Sequence, residues 1–470
     1  MTLDDSPGDD TRSVILEYLE RTAVLLGARD QPLHFEVIEE SGDHFELAVN
    51  SRFGRSVRLV LVRGVSLPAR FEVVVSDGNR DGAGQLRVAP VILPDSVRLR
   101  TLHDLCTMTG GDLEPIVTTR DGRTVWAVRH LENESVIFIG TRIVGDLTSF
   151  RQGLPANADS ELRTRSLFGF PNERPVYLYE GVADELQPYD RQADWWSYLL
   201  VTSLMRALRG SKGDENLRGP VRYLVVTGDD DQADLDKYAE QQKALRDIPI
   251  TYFLHPLTHH TKRTMRHLAH GNSEIEFGLH PDALDWPSEY DRLFDEQVSW
   301  FERLTGSGPR SLRNHGYLND GYWRHARSWL RHGIRSSSNI PGLDGRILSN
   351  SLLPFPLVLD GAVTEHWSIV TAFGDGMIFA LDMTDEEAAH RVQGFATRMT
   401  GDPLDGALVI NLHPQNIDAT RSLHATVREL TEVGFVPVTL SSLIERLDVD
   451  DHPVGRNRRF SLRRTVRGPR

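Results

Sequence analysis

The amino-acid sequence predicts an α/β protein in which a small N-terminal α/β domain precedes a closed or nearly closed (β/α) barrel. Two observations support the barrel. From residue 222 onward, apolar runs of strand length alternate with stretches of helical periodicity, and repeated β–α units of this number favour a barrel over an open sheet. Ionisable side chains also recur where the predicted strands end, which is where parallel barrels collect their functional residues.

Composition limits the classes of function. With 470 residues, 39% hydrophobic and 26% charged, the chain has the make-up of a soluble globular protein of two or three domains. Its net charge of −14 argues against bulk nucleic-acid binding. A single cysteine, Cys106, excludes an intrachain disulfide and a thiolate metal cluster, so any metal ion must be held by histidine and carboxylate.

The start of the chain is acidic and polar, without the basic and apolar stretches of a signal peptide. No apolar run approaches the length needed to cross a membrane. We therefore expect a cytoplasmic protein without a membrane span.

The N-terminal domain is predicted over residues 1–155. We expect a helix at 12–27, strands within 33–77 and at 86–93, a helix at 96–109 that contains Cys106, and strands at 125–128 and 135–139. Residues 156–219 are predicted to be a linker with a helix at 195–208 that packs on the outside of the second domain. The arginine-rich segment 448–470 is predicted to be disordered.

The barrel domain is predicted over residues 220–447. Its strands are expected at 223–227, 248–254, 274–279, 311–313, 333–337, 368–372, 377–381, 407–412 and 435–438. Helices are expected between them at 234–246, 288–304, 321–331, 385–399 and 419–433.

Four of these strand ends carry ionisable groups. The first is the triplet Asp229-Asp230-Asp231, whose adjacent like charges require a bound cation or open solvent. His280 ends the third strand, Arg313 and His315 follow the fourth, and His413 follows a late one.

This series of motifs, Thr227-Gly228-Asp229-Asp230-Asp231, then His280-Pro281, then Arg313-Asn314-His315 and then Leu412-His413, resembles the NodB-type polysaccharide deacetylases over about residues 200–447. That metal-dependent carbohydrate esterase family has a distorted (β/α) barrel with one divalent metal ion. The resemblance implies the same fold here, and a divalent ion such as zinc, with cobalt, nickel, iron or manganese as alternatives.

The resemblance also implies roles for single residues. Asp229 matches the base that activates water, and Arg313 matches the arginine that orients this base. His413 matches the histidine that stabilises the oxyanion and protonates the leaving amine. His280 matches a metal ligand, and either Asp230 or Asp231 would be the metal-binding aspartate.

The chain departs from the family where a second metal histidine is expected four residues after His280, because residue 284 is leucine. The candidate replacements are Asp282, Asp285 and His315. This departure leaves the third ligand open.

Three further residues are candidate contacts for a substrate. The rings of Tyr317 and Trp367 could stack on a sugar, with core packing as the alternative. His255 is the first of several histidines after the second strand and could line the substrate site, with a surface role as the alternative.

These residues predict a metal-dependent hydrolase that removes an acyl group, such as acetyl, from an amide nitrogen. Its substrate would be a sugar or sugar-like intermediate, either a small molecule or linked to a carrier. One alternative is hydrolysis of another non-peptide C–N bond, as in a cyclic amide. The other is a catalytically weak deacetylase-like protein that binds a glycan or acts as a scaffold.

Overall fold

The structure is a computed structural model. It describes residues 12–448 except 26–32, 51–55, 65–66, 69–70, 79–85, 89–92, 94–96, 161–173, 185–186, 188, 210–219, 270–273 and 343–345. Within these residues the protein is mixed α/β with two large sheets, so the predicted α/β class is confirmed. The predicted basic tail, apart from Asp448, lies outside the described residues.

The N-terminal sheet has nine strands in the order β1-β2-β3-β9-β8-β6-β4, with β7 joining β8 to β5. Its pairs are antiparallel except for the parallel pair of β3 and β9. The strands are β1 (His34–Glu40), β2 (His44–Asn50), β3 (Ser56–Val62), β4 (Val74–Gly78), β5 (Arg87–Val88), β6 (Leu105–Thr109), β7 (Glu114–Thr118), β8 (Thr124–His130) and β9 (Glu134–Ile139).

The second sheet has ten strands in the order β15-β16-β14-β13-β12-β11-β10-β18-β17, and β19 also pairs with β10. Every pair is parallel except that of β15 and β16. The strands are β10 (Arg222–Asp230), β11 (Ile250–Leu254), β12 (Ile275–Leu279), β13 (Ser311–Leu312), β14 (Ser336–Pro341), β15 (Phe355–Leu359), β16 (Ala362–Thr371), β17 (Phe373–Gly374), β18 (Gly406–Asn411) and β19 (Val436–Pro437).

Helices connect most of the parallel strands of the second sheet. The helices are α1 (Arg12–Leu25), α2 (Ile143–Gln152), α3 (Gln192–Arg209), α4 (Leu235–Leu245), α5 (Lys262–Ala269), α6 (Tyr290–Thr305), α7 (Ala326–Arg331), α8 (Gly376–Ala380), α9 (Asp385–Gly401), α10 (Arg421–Glu429) and α11 (Leu440–Asp448). Within the described part of the chain, none combines the length and the apolar character needed to cross a membrane.

The sequence also shows why particular elements form. Strand β10 lies between β11 and β18 and is almost entirely buried, which explains its continuous apolar run. Helix α9 begins with a capping box between Thr384 and Glu387. Helix α6 buries Tyr290, Phe294 and Val298, which are spaced four residues apart on one face.

Two local predictions are wrong. The segment around Cys106 is strand β6 rather than a helix, because Cys106 pairs with Asp77 of β4. Short apolar runs are ambiguous between helix and strand, and pairing with a distant strand decided this one. The strand predicted at 377–381 is instead the short helix α8.

Helix α3 differs from its expected position, because it packs mainly on the N-terminal half of the protein. Trp196 of α3 lies 5.3 Å from the ring of Trp126 in β8. The first turn of α3 reaches the second half, where the Asp194 carboxylate accepts a hydrogen bond of 2.9 Å from the Leu352 amide. The buried ion pair between Arg191 and Asp194 holds this turn in place.

The two halves also meet at α2. The side chain of Gln152 accepts a hydrogen bond of 2.6 Å from the Val358 amide and donates one of 3.1 Å to the Val358 carbonyl. One cluster of buried apolar side chains runs through both halves. The division into domains at residues 155 and 219 stays a prediction.

Gly228 offers a test of how tightly β10 is packed beside the aspartate triplet. A Cβ atom at this position would lie 2.8 Å from the Leu412 carbonyl oxygen and 3.0 Å from the Tyr252 ring. We expect Gly228→Ala to lower the free energy of unfolding by about 1–3 kcal/mol, the usual range for overpacking. Urea denaturation measures this change.

The matched control is Gly394→Ala in α9, where a Cβ atom would have no neighbour within 4 Å. Alanine favours the helix interior over glycine by roughly 0.8–1 kcal/mol, so this variant should be as stable as the parent or more stable. Equal destabilisation of both variants would contradict the packing argument.

Candidate active site

The three aspartates of the triplet do not share one face of β10. Because side chains alternate along a strand, Asp229 and Asp230 point to opposite sides of β10, and Asp231 directly follows the strand. Asp229 and Asp231 both lie within 4 Å of His413 Nε2. Asp230 is fully buried beside Tyr238, whose pKa is raised first by burial and then by the charge of Asp230.

Asp230 therefore does not join the other metal-site candidates. Carboxylate and imidazole atoms close enough to share one cation are found in Asp231, His280 and His315, and Asp230 is absent from this group. Of the two aspartates that the sequence left open, the structure places Asp231 beside His280 and His315, and the metal-binding role stays a prediction.

Asp229 is held by two side chains from other strands. Arg313 Nη1 donates to Oδ1 at 2.8 Å, and Asn411 Nδ2 donates to Oδ2 at 2.8 Å. Burial raises the pKa of Asp229, but the positive charges of Arg313, His280 and His413 outweigh this effect and leave the pKa below its ordinary value. Asp229 is thus an ionised carboxylate in a buried position.

Arg313 is fully buried and uses its guanidinium to join several strands. Besides Asp229, it donates to Thr227 Oγ1 at 2.9 Å, to the Ser338 carbonyl at 2.9 Å and to Thr371 Oγ1 at 3.1 Å. These acceptors belong to β10, β14 and β16. The sequence resemblance predicted that Arg313 orients the Asp229 carboxylate, and the two side chains are in direct contact.

Asp231, His280 and His315 form a group that suits a divalent metal ion. Asp231 Oδ1 lies 3.5 Å from His280 Nε2 and 3.8 Å from His315 Nε2. Ligand atoms that share a tetrahedral zinc ion at about 2.1 Å are roughly 3.4 Å apart, so the spacing is close to that of a metal site. Two imidazoles and one carboxylate are also ligands that zinc accepts.

The hydrogen bond of His280 directs a lone pair into this group. His280 Nδ1 lies 2.6 Å from the Arg313 carbonyl oxygen, which can only accept, so Nδ1 carries the hydrogen. Nε2 then presents its lone pair to Asp231. Burial lowers the pKa of His280, but Asp229 and Asp231 outweigh it, so the pKa is raised and a metal ion would compete with a proton.

Among the three replacements considered for the missing histidine, the structure brings only His315 to Asp231. His315 comes from a 3₁₀ turn after β13 and thus from another β–α unit than His280. Asp282 contacts the far side of His315, with 3.2 Å between Asp282 Oδ1 and His315 Nδ1. Asp285 is exposed and does not belong to this group of candidate ligands.

His413 is paired with a buried carboxylate, Asp375. The Asp375 side chain accepts hydrogen bonds from His413 Nδ1 and, at 2.8 Å, from the His413 backbone amide. Burial lowers the pKa of His413, but Asp375, followed by Asp231 and Asp229, raises it to about 10. His413 therefore carries a proton at neutral pH.

These groups meet at a cavity of about 370 Å³. Its charged end is formed by Asp229, Asp231, His280, His315 and His413. The rest of the lining is largely apolar and includes Leu284, Tyr317, Pro341, Met377, Phe379 and Leu381.

Two of the three predicted substrate contacts are placed elsewhere. Trp367 is buried in an apolar cluster with Tyr223 and Phe253, so the core-packing alternative is correct for it. His255 is also buried, and its Nε2 lies 3.2 Å from Asp282 Oδ2, so it does not line the cavity. Tyr317 does line the cavity.

Asp375 and Asn411 contact His413 and Asp229, and neither was predicted from the sequence. Asn411 stands two residues before His413 at the end of β18, so strand alternation could have placed both side chains on one face. Asp375 sits between Gly374 and Gly376, after a predicted strand, and matches the strand-end pattern that identified the other residues.

No family model and no curated protein sequence matches the chain. Similar solved structures are those of polysaccharide deacetylases. One is described as a polysaccharide deacetylase from Mycobacterium smegmatis; it is 17% identical, has a TM-score of 0.37, and the match covers 50% of this chain and 93% of that one.

Two more come from bacilli. The peptidoglycan deacetylase PdaC from Bacillus subtilis is 14% identical with a TM-score of 0.31, and the match covers 49% of this chain and 93% of that one. A polysaccharide deacetylase from Bacillus cereus is 14% identical with a TM-score of 0.30, and the match covers 47% and 91%.

We expect Arg313→Met to lower the free energy of unfolding at pH 7 by about 3–5 kcal/mol, because it leaves the Asp229 charge buried without its partner. Because the pKa of Asp229 is lower in the folded protein than in the unfolded chain, its ionised carboxylate stabilises the fold. This stabilisation is fully present above the unfolded pKa of about 3.9 and is lost as the pH falls through the folded pKa. Chemical denaturation between pH 3 and 7 measures both effects.

The double variant Asp229→Asn/Arg313→Met provides the control, since no unpaired charge remains in it. It should be less destabilised than Arg313→Met alone. Additive losses in the double variant would mean that the two side chains do not stabilise each other.

Proposed function

We propose that this protein is a metal-dependent hydrolase that removes an acyl group from an amide nitrogen of a sugar or sugar-like molecule. The observation that carries this proposal is the convergence of three groups on one cavity. These groups are the ionised Asp229, the candidate metal ligands around Asp231, and the protonated His413.

The proposal includes a distorted (β/α) barrel. The barrel is supported by the way in which β16 and β17 pair with other strands. These two strands are consecutive, since Ala372 alone separates the end of β16 from the start of β17. Strand β16 pairs with β14, whereas β17 pairs with β18, which in turn pairs with β10. The parallel strands from β10 to β14 therefore connect back to β10 through β16, β17 and β18.

Asp231, His280 and His315 are the residues that would hold the metal ion, with zinc as the first candidate and cobalt, nickel, iron and manganese as alternatives. A divalent ion bound there would lower the pKa of a water molecule to about 7 and polarise the acyl carbonyl.

Asp229 is the proposed general base. Arg313 and Asn411 orient its carboxylate and keep it ionised, so it is ready to take a proton from the attacking water. Its position in the cavity wall supports this role.

His413 is the proposed general acid. Its Nδ1 is engaged by Asp375, so Nε2 carries the proton that can pass to the leaving nitrogen. Nε2 lies 3.6 Å from Asp229 Oδ2, which places the base and the acid side by side at the end of the cavity. Its positive charge would also stabilise a developing oxyanion.

The cavity supports a small-molecule or carrier-linked N-acylated substrate. A volume of about 370 Å³ is in the range of small-ligand sites, commonly about 300–1,000 Å³. Its apolar wall, with Met377, Phe379 and Leu381, offers a surface for an acyl group, while the charged end faces the amide.

The test uses the metal-loaded enzyme and a panel of N-acetylated amino sugars, with cyclic amides included. Asp229→Asn should lower kcat by about 10²–10⁴-fold, because general base catalysis is lost. Its bound metal, measured by atomic emission, should stay equal to that of the parent, since Asp229 is outside the ligand group.

Asp360→Asn is the control, because Asp360 is exposed and distant from the cavity, and its activity should equal that of the parent. The proposal fails if the parent hydrolyses only cyclic amides. It also fails if the parent binds no stoichiometric divalent metal ion, or if Asp229→Asn retains full activity.

Asp375→Asn should move the alkaline limb of the kcat/KM profile to lower pH. Asp375 is the main group that raises the pKa of His413 to about 10, so its loss returns that pKa toward the ordinary value of about 6.5. The protonated acid then disappears at a lower pH. An unmoved alkaline limb would show that His413 is not the acid that the profile reports.

A further inference from the structure

A second cluster of ionisable side chains lies behind the proposed metal ligands. It consists of His255, Asp282 and His315, and it shares His315 with the ligand group. The Asp282 carboxylate lies between the two imidazoles, with Oδ2 3.2 Å from His255 Nε2 and Oδ1 3.2 Å from His315 Nδ1. The reaction proposed above does not use His255 or Asp282.

The hydrogen bonds of His255 determine which of its nitrogens carries the proton. The backbone amide of Leu257 donates to His255 Nδ1 at 3.1 Å, so Nδ1 is an acceptor and holds no hydrogen. The remaining hydrogen is on Nε2 and faces Asp282. His255 Nε2 therefore has no lone pair for a cation, and this cluster is not arranged as a second metal site.

Asp282 is itself held in place. Its Oδ1 accepts a hydrogen bond of 3.1 Å from the Leu284 amide, and its backbone amide and carbonyl bond to the Gln297 side chain of α6 at 2.8 and 2.6 Å. A carboxylate fixed in this way and already engaged by His255 keeps its negative charge 3.2 Å from His315 Nδ1, although the two atoms are not aligned for a hydrogen bond.

An ionised carboxylate repels a nitrogen lone pair and attracts an N–H group, so Asp282 Oδ1 at 3.2 Å favours the tautomer of His315 that carries its ring hydrogen on Nδ1. The lone pair of His315 is then on Nε2, the atom that lies toward Asp231. The Arg313 carbonyl fixes His280 in the same tautomer. The two candidate histidine ligands thus have the same tautomer but different acceptors, a backbone carbonyl for one and a side-chain carboxylate for the other.

We propose that His255 and Asp282 are positioning residues that fix the tautomer and orientation of His315, so that this histidine serves as a ligand for a first-row divalent metal ion. The inference rests on the metal site of the proposed function. It explains how a histidine from a separate turn can supply the ligand that is missing at residue 284. Carboxylate partners of metal-bound histidines commonly have this effect.

The experiment measures metal affinity rather than activity. The full-length protein is stripped of metal with a chelator and titrated with Zn²⁺ by calorimetry, and the absorption spectrum of the Co²⁺ form is recorded. Asp282→Asn should bind one ion per chain about 10–100-fold more weakly than the parent, the usual effect of losing such a partner. His255→Gln should weaken binding in the same direction but less, because its amide can still donate to Asp282.

The matched control is Asp285→Asn. Asp285 is an exposed carboxylate three residues from Asp282 that belongs to neither cluster, so its variant should bind Zn²⁺ with the affinity of the parent. His315→Ala should lose affinity and change the Co²⁺ spectrum, because a ligand itself is removed.

The outcomes separate this inference from the proposed function. A parent protein that binds no stoichiometric Zn²⁺ would overturn the proposed function. A parent that binds one ion while Asp282→Asn binds it equally well would overturn only the positioning role. Two ions per parent chain, with the second lost in His255→Gln, would replace the positioning role by a second metal site.

Discussion

The buried contact between Arg313 and Asp229 organises the rest of the site. Arg313 is fully buried, and its side chain bonds to groups on β10, β14 and β16. Its carbonyl oxygen also accepts the Nδ1 hydrogen of His280. One residue therefore keeps the proposed base ionised and directs a lone pair of a candidate ligand toward the metal group. Such a residue tolerates burial because each of its three guanidinium nitrogens donates to a nearby acceptor.

In the proposed reaction, one histidine at the cavity must be protonated and the other two must be neutral. The hydrogen-bond acceptor beside each ring favours the required state. His413 must hold a proton to act as an acid, and the buried Asp375 beside it favours the charged imidazole. His280 and His315 must offer a lone pair, so each needs an acceptor only at Nδ1. A carbonyl oxygen serves His280, and Asp282 lies beside His315.

The three aspartates at the end of β10 have different surroundings. Asp229 and Asp231 line the cavity, while Asp230 points to the other side of β10 from Asp229 and lies beside Tyr238. The repulsion between Asp229 and Asp231 is reduced by cationic partners, namely Arg313 and the protonated His413. A bound divalent ion would reduce it further.

The sequence by itself determined the α/β class, the position of most of the parallel strands and the presence of ionisable groups after them at Asp229, His280, Arg313 and His413. These features depend on local periodicity and on where an apolar run stops, which a single chain displays directly. Tertiary structure alone decided that β6 is a strand, that Trp367 is core, and that His315 rather than Asp282 faces Asp231. Such contacts join segments from different β–α units, and their distances are set by strand pairing and packing that no local pattern records.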